Sequence, residues 1–429
     1  MKRNIDREII DIVIDFYLTS GDFNGIPLSF LLSQIHVKFE KIESYLSNKV
    51  KDGDLRILSS DNELNPHIIR TGFQNIETQL ISLRKNNENH TCIYPGIEIL
   101  KRKTSSEYLT DQPFRRELAL GRGQLELCFF ELMLLELYRN DPRYYYKCND
   151  IGGSICIKDE HYKDSTLDER DKVLLEAFGL AYDNDGNRYI AAFIGDLANL
   201  SPEHQKIWQS KIVNSKLKVN PDFYGSQILG QWAQHISIFD AVLHEQRIIN
   251  DMVCAIGKPP LFKRVFGRYL EEKPNDFSFM IRPTAKEYHD FVHLLDKLFS
   301  DNIDKKFFKG ELALEVETER KDGKIIVGQK GTILLLDEWL RKVYRASNWE
   351  PWDFAISVFK KIRAQRSPPA HSIIENKFEP KYIHMQRELM KEAYEALAIL
   401  RHALGSHPKC EAQDFDIPSA LIEGKIWTL

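Results

Sequence analysis

The chain has 429 residues, of which 43% are hydrophobic and 28% charged, a balance typical of soluble globular proteins that argues against long disorder or a coiled-coil rod. Lys plus Arg (59) and Asp plus Glu (63) give a net charge of −4, which excludes a protein that coats nucleic acid over its whole surface and leaves only local basic patches for such contacts. At about 150 residues per domain, two or three domains are expected.

No apolar run reaches bilayer length, so no membrane partner is expected: the best stretch, Leu125 to Leu135, carries Glu126 and Glu131. The first residues, Met1 to Glu8, lack the apolar core of a secretory signal. The Cys residues (92, 128, 148, 156, 254, 410) form no CxxC pair, which disfavours a zinc ribbon and fits free, mostly buried thiols in a reducing cytoplasm. No metal and no cofactor are expected.

Residues 1–70 read as one unit. Ile9, Ile10, Ile12, Val13, Phe16 and Tyr17 recur at helical spacing, and Ser20 to Gly25 stop that helix. A short apolar piece, Ile26 to Leu32, precedes a helix from Phe39 to Val50 with Phe39, Ile42, Tyr45, Leu46 and Val50 on one face. Lys51 to Asp54 turn, and Leu55 to Leu58 form a strand. Three helices, a turn and a strand follow the order of a winged helix-turn-helix. Its third helix, carrying Lys38, Lys41 and Lys49, would enter the major groove of DNA, although Glu40 and Glu43 lie on the same helix.

Residues 71–283 form a connector and an α+β middle region. The stretch 71–110 is polar and mixed, and 113–138 is expected to be helical. Gly121-Arg122-Gly123 lacks the third Gly and the Lys-Ser/Thr of a phosphate loop and reads as structural. Tyr182 to Asn187 resembles half a calcium loop, but Ile194 stands where the closing Glu is needed, so a turn is expected. From Lys258 to Tyr269 cations and aromatics interleave. This suits phosphate contacts with base stacking, or an amphipathic helix that buries Phe262, Val265, Phe266 and Tyr269; the helix is preferred.

Residues 284–429 read as long helices: about 285–308, one from Ile333 interrupted around Ser347 to Pro351 and resuming to Arg366, and one from Pro380 on which Tyr382, Met385, Leu389, Ala393, Leu397, Leu400 and Leu404 step by three or four. Residues 311–328 look like an inserted hairpin turning at Lys321 to Lys324. Pro368 and Pro369 end the second long helix because neither supplies an amide donor. Arg366 and His371 stand four residues apart across that break.

This stretch resembles the HEPN superfamily of helical-bundle ribonucleases, whose signature is an Arg, a short spacer and a His between the second and third long helices. The resemblance covers about residues 285–405, and the residue after the Arg, commonly Asn, Asp or His in the family, is Ser367 here. It implies a metal-independent endoribonuclease acting on RNA, a homodimer with both motifs lining one cleft, and a role in prokaryotic defence or as a toxin. The chemistry is consistent with the residues: His371 titrates near neutrality and can serve as general acid/base, and Arg366 presents a planar fork of donors to the scissile phosphate. Arg363, Gln365, Lys360 and Lys361 would assist in RNA binding. From Glu338 to Arg366 the cations Arg341, Lys342, Arg345, Lys360, Lys361, Arg363 and Arg366 outnumber Glu338, Glu350 and Asp353.

The expected fold class is therefore mainly α and multidomain: a winged-helix-like domain, an α+β middle region and a HEPN-like bundle with an inserted β-hairpin. Arg401 and His407 are a secondary candidate for the catalytic pair. The alternative function is a non-enzymatic DNA-binding regulator that dimerises through the bundle. A third reading, a metal-dependent hydrolase, would use His289 and His293 at i and i+4 of one helix, but Asp290 replaces the Glu that metalloproteases carry there.

Overall fold

The structure is a computed structural model that describes all residues except 1, 71, 86, 105–106, 165, 167, 169–170, 268–272, 320–324, 367–374 and 429. About 48% of the chain is helical and 16% is strand, so the protein is a mixed α+β chain with several small sheets. It divides into two compact units: Met1–Tyr146 with Gly152–Gln231, and Lys147–Ile151 with Trp232–Leu429. The division lies inside the expected middle region.

In the first unit, α1 (Lys2–Thr19), β1 (Ile26–Pro27), α2 (Leu28–Ile35), α3 (Phe39–Lys51) and β2 (Leu55–Ser59) follow the expected order. Gly21 supplies the positive φ of 82° at which the chain turns away from α1. The described residues of 71–110 include α4 (Ile76–Arg84), β3 (Thr91–Pro95) and the helix Ile97–Lys103. β3 inserts between β1 and β2, both antiparallel, in the order β1-β3-β2. Ile9, Val13, Leu28, Leu31, Phe39, Ile42, Leu46, Val50, Ile57, Leu80, Leu83 and Ile93 share one core. The stretch reads as polar because α4 buries only Leu80, Leu83 and the polar Gln79 and Ser82.

The expected single helix over 113–138 is broken: its ends, Pro113–Ala119 and Glu136–Arg139, are helical, and a strand lies between them. Only Pro113–Ala119 is helical before Gly121 (φ 94°), after which β4 (Leu127–Glu131) pairs antiparallel with residues some sixty positions later. β5 (Tyr144–Cys148), β6 (Gly152–Ile157), β7 (Leu174–Tyr182) and β8 (Arg188–Phe193) complete a sheet of order β4-β8-β7-β6-β5, with β9 (Lys218–Val219) on β7. The half calcium loop is the β7–β8 turn: the Asp183 carboxylate accepts the amides of Asp185 (2.9 Å) and Asn187 (2.8 Å). Arg122 pairs with Glu117 and Glu126, so Gly121-Arg122-Gly123 is structural.

The second unit packs the helices Ile238–Ile256, Ala285–Leu298, Glu350–Arg366 and Lys381–Gly405, with Thr332–Val343 alongside. The first of these lies before the expected start of the bundle. It is buried on nearly every side and ends at Gly257 (φ 97°). The helix expected over about 285–308 ends at Leu298 and continues as a turn and a 3-10 segment, Lys305–Phe308. The hairpin is β11 (Glu315–Glu319) with β12 (Ile325–Gln329), while the expected turn at Lys321 to Lys324 lies outside the described residues. β10 (Ile236–Ser237) pairs parallel with β13 (Ile426–Trp427). Between Lys258 and Gly267 there is no helix, although Leu261, Phe262 and Phe266 are buried as an amphipathic segment requires; Arg268 and Tyr269 lie outside the described residues. No helix among the described residues is long and apolar enough to cross a membrane.

Candidate functional site

The Glu350–Arg366 helix buries Trp352, Ala355, Ile356, Val358, Phe359 and Ile362, which leaves Arg363 and Arg366 one turn apart on the edge facing the end of the Ala285–Leu298 helix. There they meet two carboxylates. Asp296 Oδ2 accepts from Arg363 Nη1 at 2.7 Å and from Arg366 Nη1 at 2.7 Å. Asp301 divides its oxygens, Oδ1 to Arg363 at 2.6 Å and Oδ2 to Arg366 at 2.8 Å. The Asp296 side chain is 0% exposed and that of Asp301 is 38% exposed, so one is an internal anchor and the other meets water. A buried carboxylate survives when paired, and two guanidiniums on one oxygen offset its desolvation. The second Asp296 oxygen, Oδ1, is buried and accepts no hydrogen bond from the described residues.

The charges reinforce each other. Hydrogen bonds to Asp301 and Asp296 raise the Arg363 pKa further, and those to Asp296 lead for Arg366, so both stay cationic. Burial alone would raise the Asp301 carboxyl, but Arg363 and Arg366 hold it below the usual aspartate value.

Of the expected catalytic pair, Arg366 stands in this cluster and His371 lies outside the described residues, as do Ser367 to Ala370. Gln365 accepts from the Tyr288 hydroxyl at 3.0 Å and is a packing contact within the bundle. Lys361 pairs with Glu392 at 2.6 Å, and Lys360 is exposed. The basic strip is less continuous than its sequence suggests, because Arg341 is held by Asp337, just ahead of the strip, and by Asp353. The secondary candidates are apart in role: Arg401 is buried against Glu245, whereas His407 caps the short Pro408–Glu411 helix through Nδ1. Lys38, which precedes α3, and Lys41 on α3 are exposed, but Lys49 is taken by Asp54 at 2.8 Å. His289 and His293 share their helix, and Asp290 between them pairs with Lys286 at 2.8 Å. No cluster of three His, Cys, Asp or Glu that could hold a metal ion occurs among the described residues.

Asp296 and Asp301 lie outside the Arg–His motif. Asp296 had a signal: with Tyr288 and Val292 it continues a stripe at i, i+4 and i+8, and a carboxylate on the apolar face of a helix needs a buried cation. The chain matches no family model, no curated protein and no solved structure.

Proposed function

We propose that the protein is a metal-independent endoribonuclease of HEPN type, working as a homodimer in prokaryotic defence or as a toxin. His371 acts as general acid/base and Arg366 stabilises the scissile phosphate. The 2′-oxygen attacks phosphorus while a base takes its proton. The P–O5′ bond breaks as an acid protonates the leaving oxygen, which yields a 2′,3′-cyclic phosphate and a 5′-hydroxyl. The observation that carries this reading is the placement of Arg363 and Arg366 at the last turn of a bundle helix, fixed on Asp296 and Asp301 directly before the segment that holds His371. A guanidinium held in this way loses little side-chain freedom on meeting a phosphate.

The test is incubation of the wild type, His371→Ala and Arg366→Ala with structured and unstructured RNA in EDTA, followed by analysis of the new ends. Cleavage by the wild type to cyclic phosphate ends, reduced at least about a hundredfold in both variants, is expected. Undiminished cleavage by folded His371→Ala protein would sink the proposal.

The second reading is a winged-helix-like DNA-binding regulator dimerising through its bundle, favoured by the β1-β3-β2 sheet with three helices before β2. Exposed Lys38 and Lys41 would make the phosphate contacts. Salt-sensitive duplex binding that Lys38→Glu and Lys41→Glu do not weaken would count against it.

A further inference from the structure

The cation-rich segment after Lys258 is brought to the same place as the two arginines. Leu261 (0%), Phe262 (1%) and Phe266 (3%) are buried. The Phe262 amide donates to Asn250 Oδ1 (2.9 Å), and Asn250 Nδ2 donates back to the Phe262 carbonyl (2.8 Å). The segment then runs antiparallel to residues 302–303. Lys263 N donates to the Asn302 carbonyl (2.8 Å), Arg264 N to Asn302 Oδ1 (2.9 Å), and Asn302 Nδ2 to the Arg264 carbonyl (2.7 Å). With its apolar residues pinned inside, the segment leaves Lys263 and Arg264 exposed. Lys263 Nζ donates to the backbone carbonyl of Asp301 at 2.7 Å, the same residue whose carboxylate spans Arg363 and Arg366.

We propose that Asp301 is a carboxylate stand-in for a substrate phosphate, and that Lys263 and Arg264 carry a single-stranded RNA backbone onto Arg363 and Arg366. This rests on the ribonuclease reading for the choice of RNA. One oxygen to each guanidinium is how two non-bridging phosphate oxygens would be held. The two aspartates differ in what they can do. Asp296 is enclosed and remains, so it neutralises one guanidinium charge permanently. Asp301 lies at the surface, where a carboxylate–arginine contact is weak in water and a phosphate can displace it. Without Asp301, the described bonds leave Arg363, Arg366 and Lys263 around Asp296, a net attraction for a polyanion. The segment that supplies Lys263 and Arg264 lies outside the helix–break–helix that bears the Arg–His pair, so binding would be divided between two parts of the chain.

The experiment measures binding of a fluorescein-labelled, unstructured RNA oligonucleotide to the full chain carrying His371→Ala, in EDTA, across a salt series, with thermal unfolding recorded for every variant. Asp301→Asn keeps the shape and removes the charge; it should tighten binding about fivefold to tenfold. Lys263→Ala with Arg264→Ala should weaken binding about tenfold and lower the salt slope by roughly 0.7 per lost phosphate contact. Unchanged or weaker binding by folded Asp301→Asn protein overturns the proposal. So does unchanged binding by the Lys263/Arg264 variant, whose altered side chains are at the surface and which decides the matter if Asp301→Asn does not fold. Equal gains on duplex DNA would overturn the assignment to single-stranded RNA. The two readings fail separately. Tighter RNA binding by Asp301→Asn with no cleavage by the wild type would remove the ribonuclease and keep this site. Cleavage with no effect of any of these substitutions would do the reverse.

Discussion

The Glu245 carboxylate, 0% exposed, accepts from Arg401 Nε at 2.6 Å and ties the Ile238–Ile256 helix to the Lys381–Gly405 helix inside the second unit. Burial raises the Glu245 pKa against the opposing pull of Arg401, and its other oxygen, Oε1, is buried and accepts no hydrogen bond from the described residues. The pair is therefore held by geometry at a high desolvation cost. Arg401→Ala leaves a lone buried carboxylate and should lower stability by about 3–5 kcal/mol at pH 8. A carboxyl with a raised folded pKa contributes fully below its unfolded value and loses that contribution as pH climbs through the folded one. The penalty of Arg401→Ala should thus shrink between pH 8 and pH 5, where Glu245 can stay neutral. Urea unfolding at both pH values checks this, and a penalty that grows on acidification would refute it. Glu245→Leu with Arg401→Met should fall near the parent stability.

Asp196 makes a simpler pH case in the first unit. Burial, with help from the Glu176 carboxylate, pushes its carboxyl up to about 6. By the same sign rule, its stabilising contribution is present below the ordinary aspartate value near 3.9 and is lost as pH rises through about 6. Asp196→Asn should leave stability unchanged at pH 4 and raise it by on the order of 2 kcal/mol at pH 8. Parallel stability curves for variant and parent across that range would contradict the assignment.

What could be read in advance follows from how local each signal is. The Lys381–Gly405 helix is legible because Leu389, Ala393, Leu397, Leu400 and Leu404 form one buried stripe over about four turns. The Ile238–Ile256 helix is not legible as a bundle member, because Asp240, Glu245, Gln246 and Asn250 are buried along with its apolar residues and no polar face remains to mark its orientation. β4 was masked by its own composition, since Leu127, Cys128, Phe129 and Phe130 suit a helix as well as a strand until β8 is known to pair with them. At the candidate site, Arg363 and Arg366 could be named from the motif. Their partners Asp296 and Asp301 come from some 65 residues earlier, and nothing in a local pattern joins them.

Gly179 sits in β7 between Gly152 and Ala191. A Cβ there would stand 2.3 Å from Phe223 Cδ1, and Phe223 is itself buried and stacked on Phe193. The ring has nowhere to move without disturbing that stack. Gly179→Ala should cost about 1–3 kcal/mol in chemical denaturation, as overpacking does. Adding Phe223→Leu should recover part of the loss, a coupling that a double-mutant cycle reads directly.

The buried Tyr138 hydroxyl accepts the Trp208 indole N–H at 2.8 Å and also meets His204 Nε2. All three side chains are buried, and burial raises the phenol pKa well above its ordinary range, so the hydroxyl stays protonated. Tyr138→Phe keeps the ring contacts with Tyr144 and Trp208 and removes the acceptor. The stranded indole N–H should lower stability by about 1–3 kcal/mol. A shift in tryptophan emission should accompany this; a stability loss below a few tenths of a kcal/mol would show that the contact contributes nothing.

Asp296 and Asp301 touch the same two arginines, yet their substitution should separate stability from binding. Asp296 is enclosed, and Asp296→Asn would set an amide N–H₂ or a weaker acceptor against two guanidiniums; a loss of about 3–5 kcal/mol is expected, the scale for breaking a buried charge network. Asp301 is more than a third exposed, so Asp301→Asn should change unfolding little at neutral pH. Its carboxyl is held below the ordinary value, so whatever stability it adds is present above that value and disappears as pH falls through the lower folded one. Whatever small difference Asp301→Asn makes should therefore be present at neutral pH and vanish in the lowest part of acid unfolding, while Asp296→Asn is weaker throughout. Equal destabilisation by the two at pH 7 would mean that Asp301, like Asp296, is a fixed part of the bundle and not displaceable.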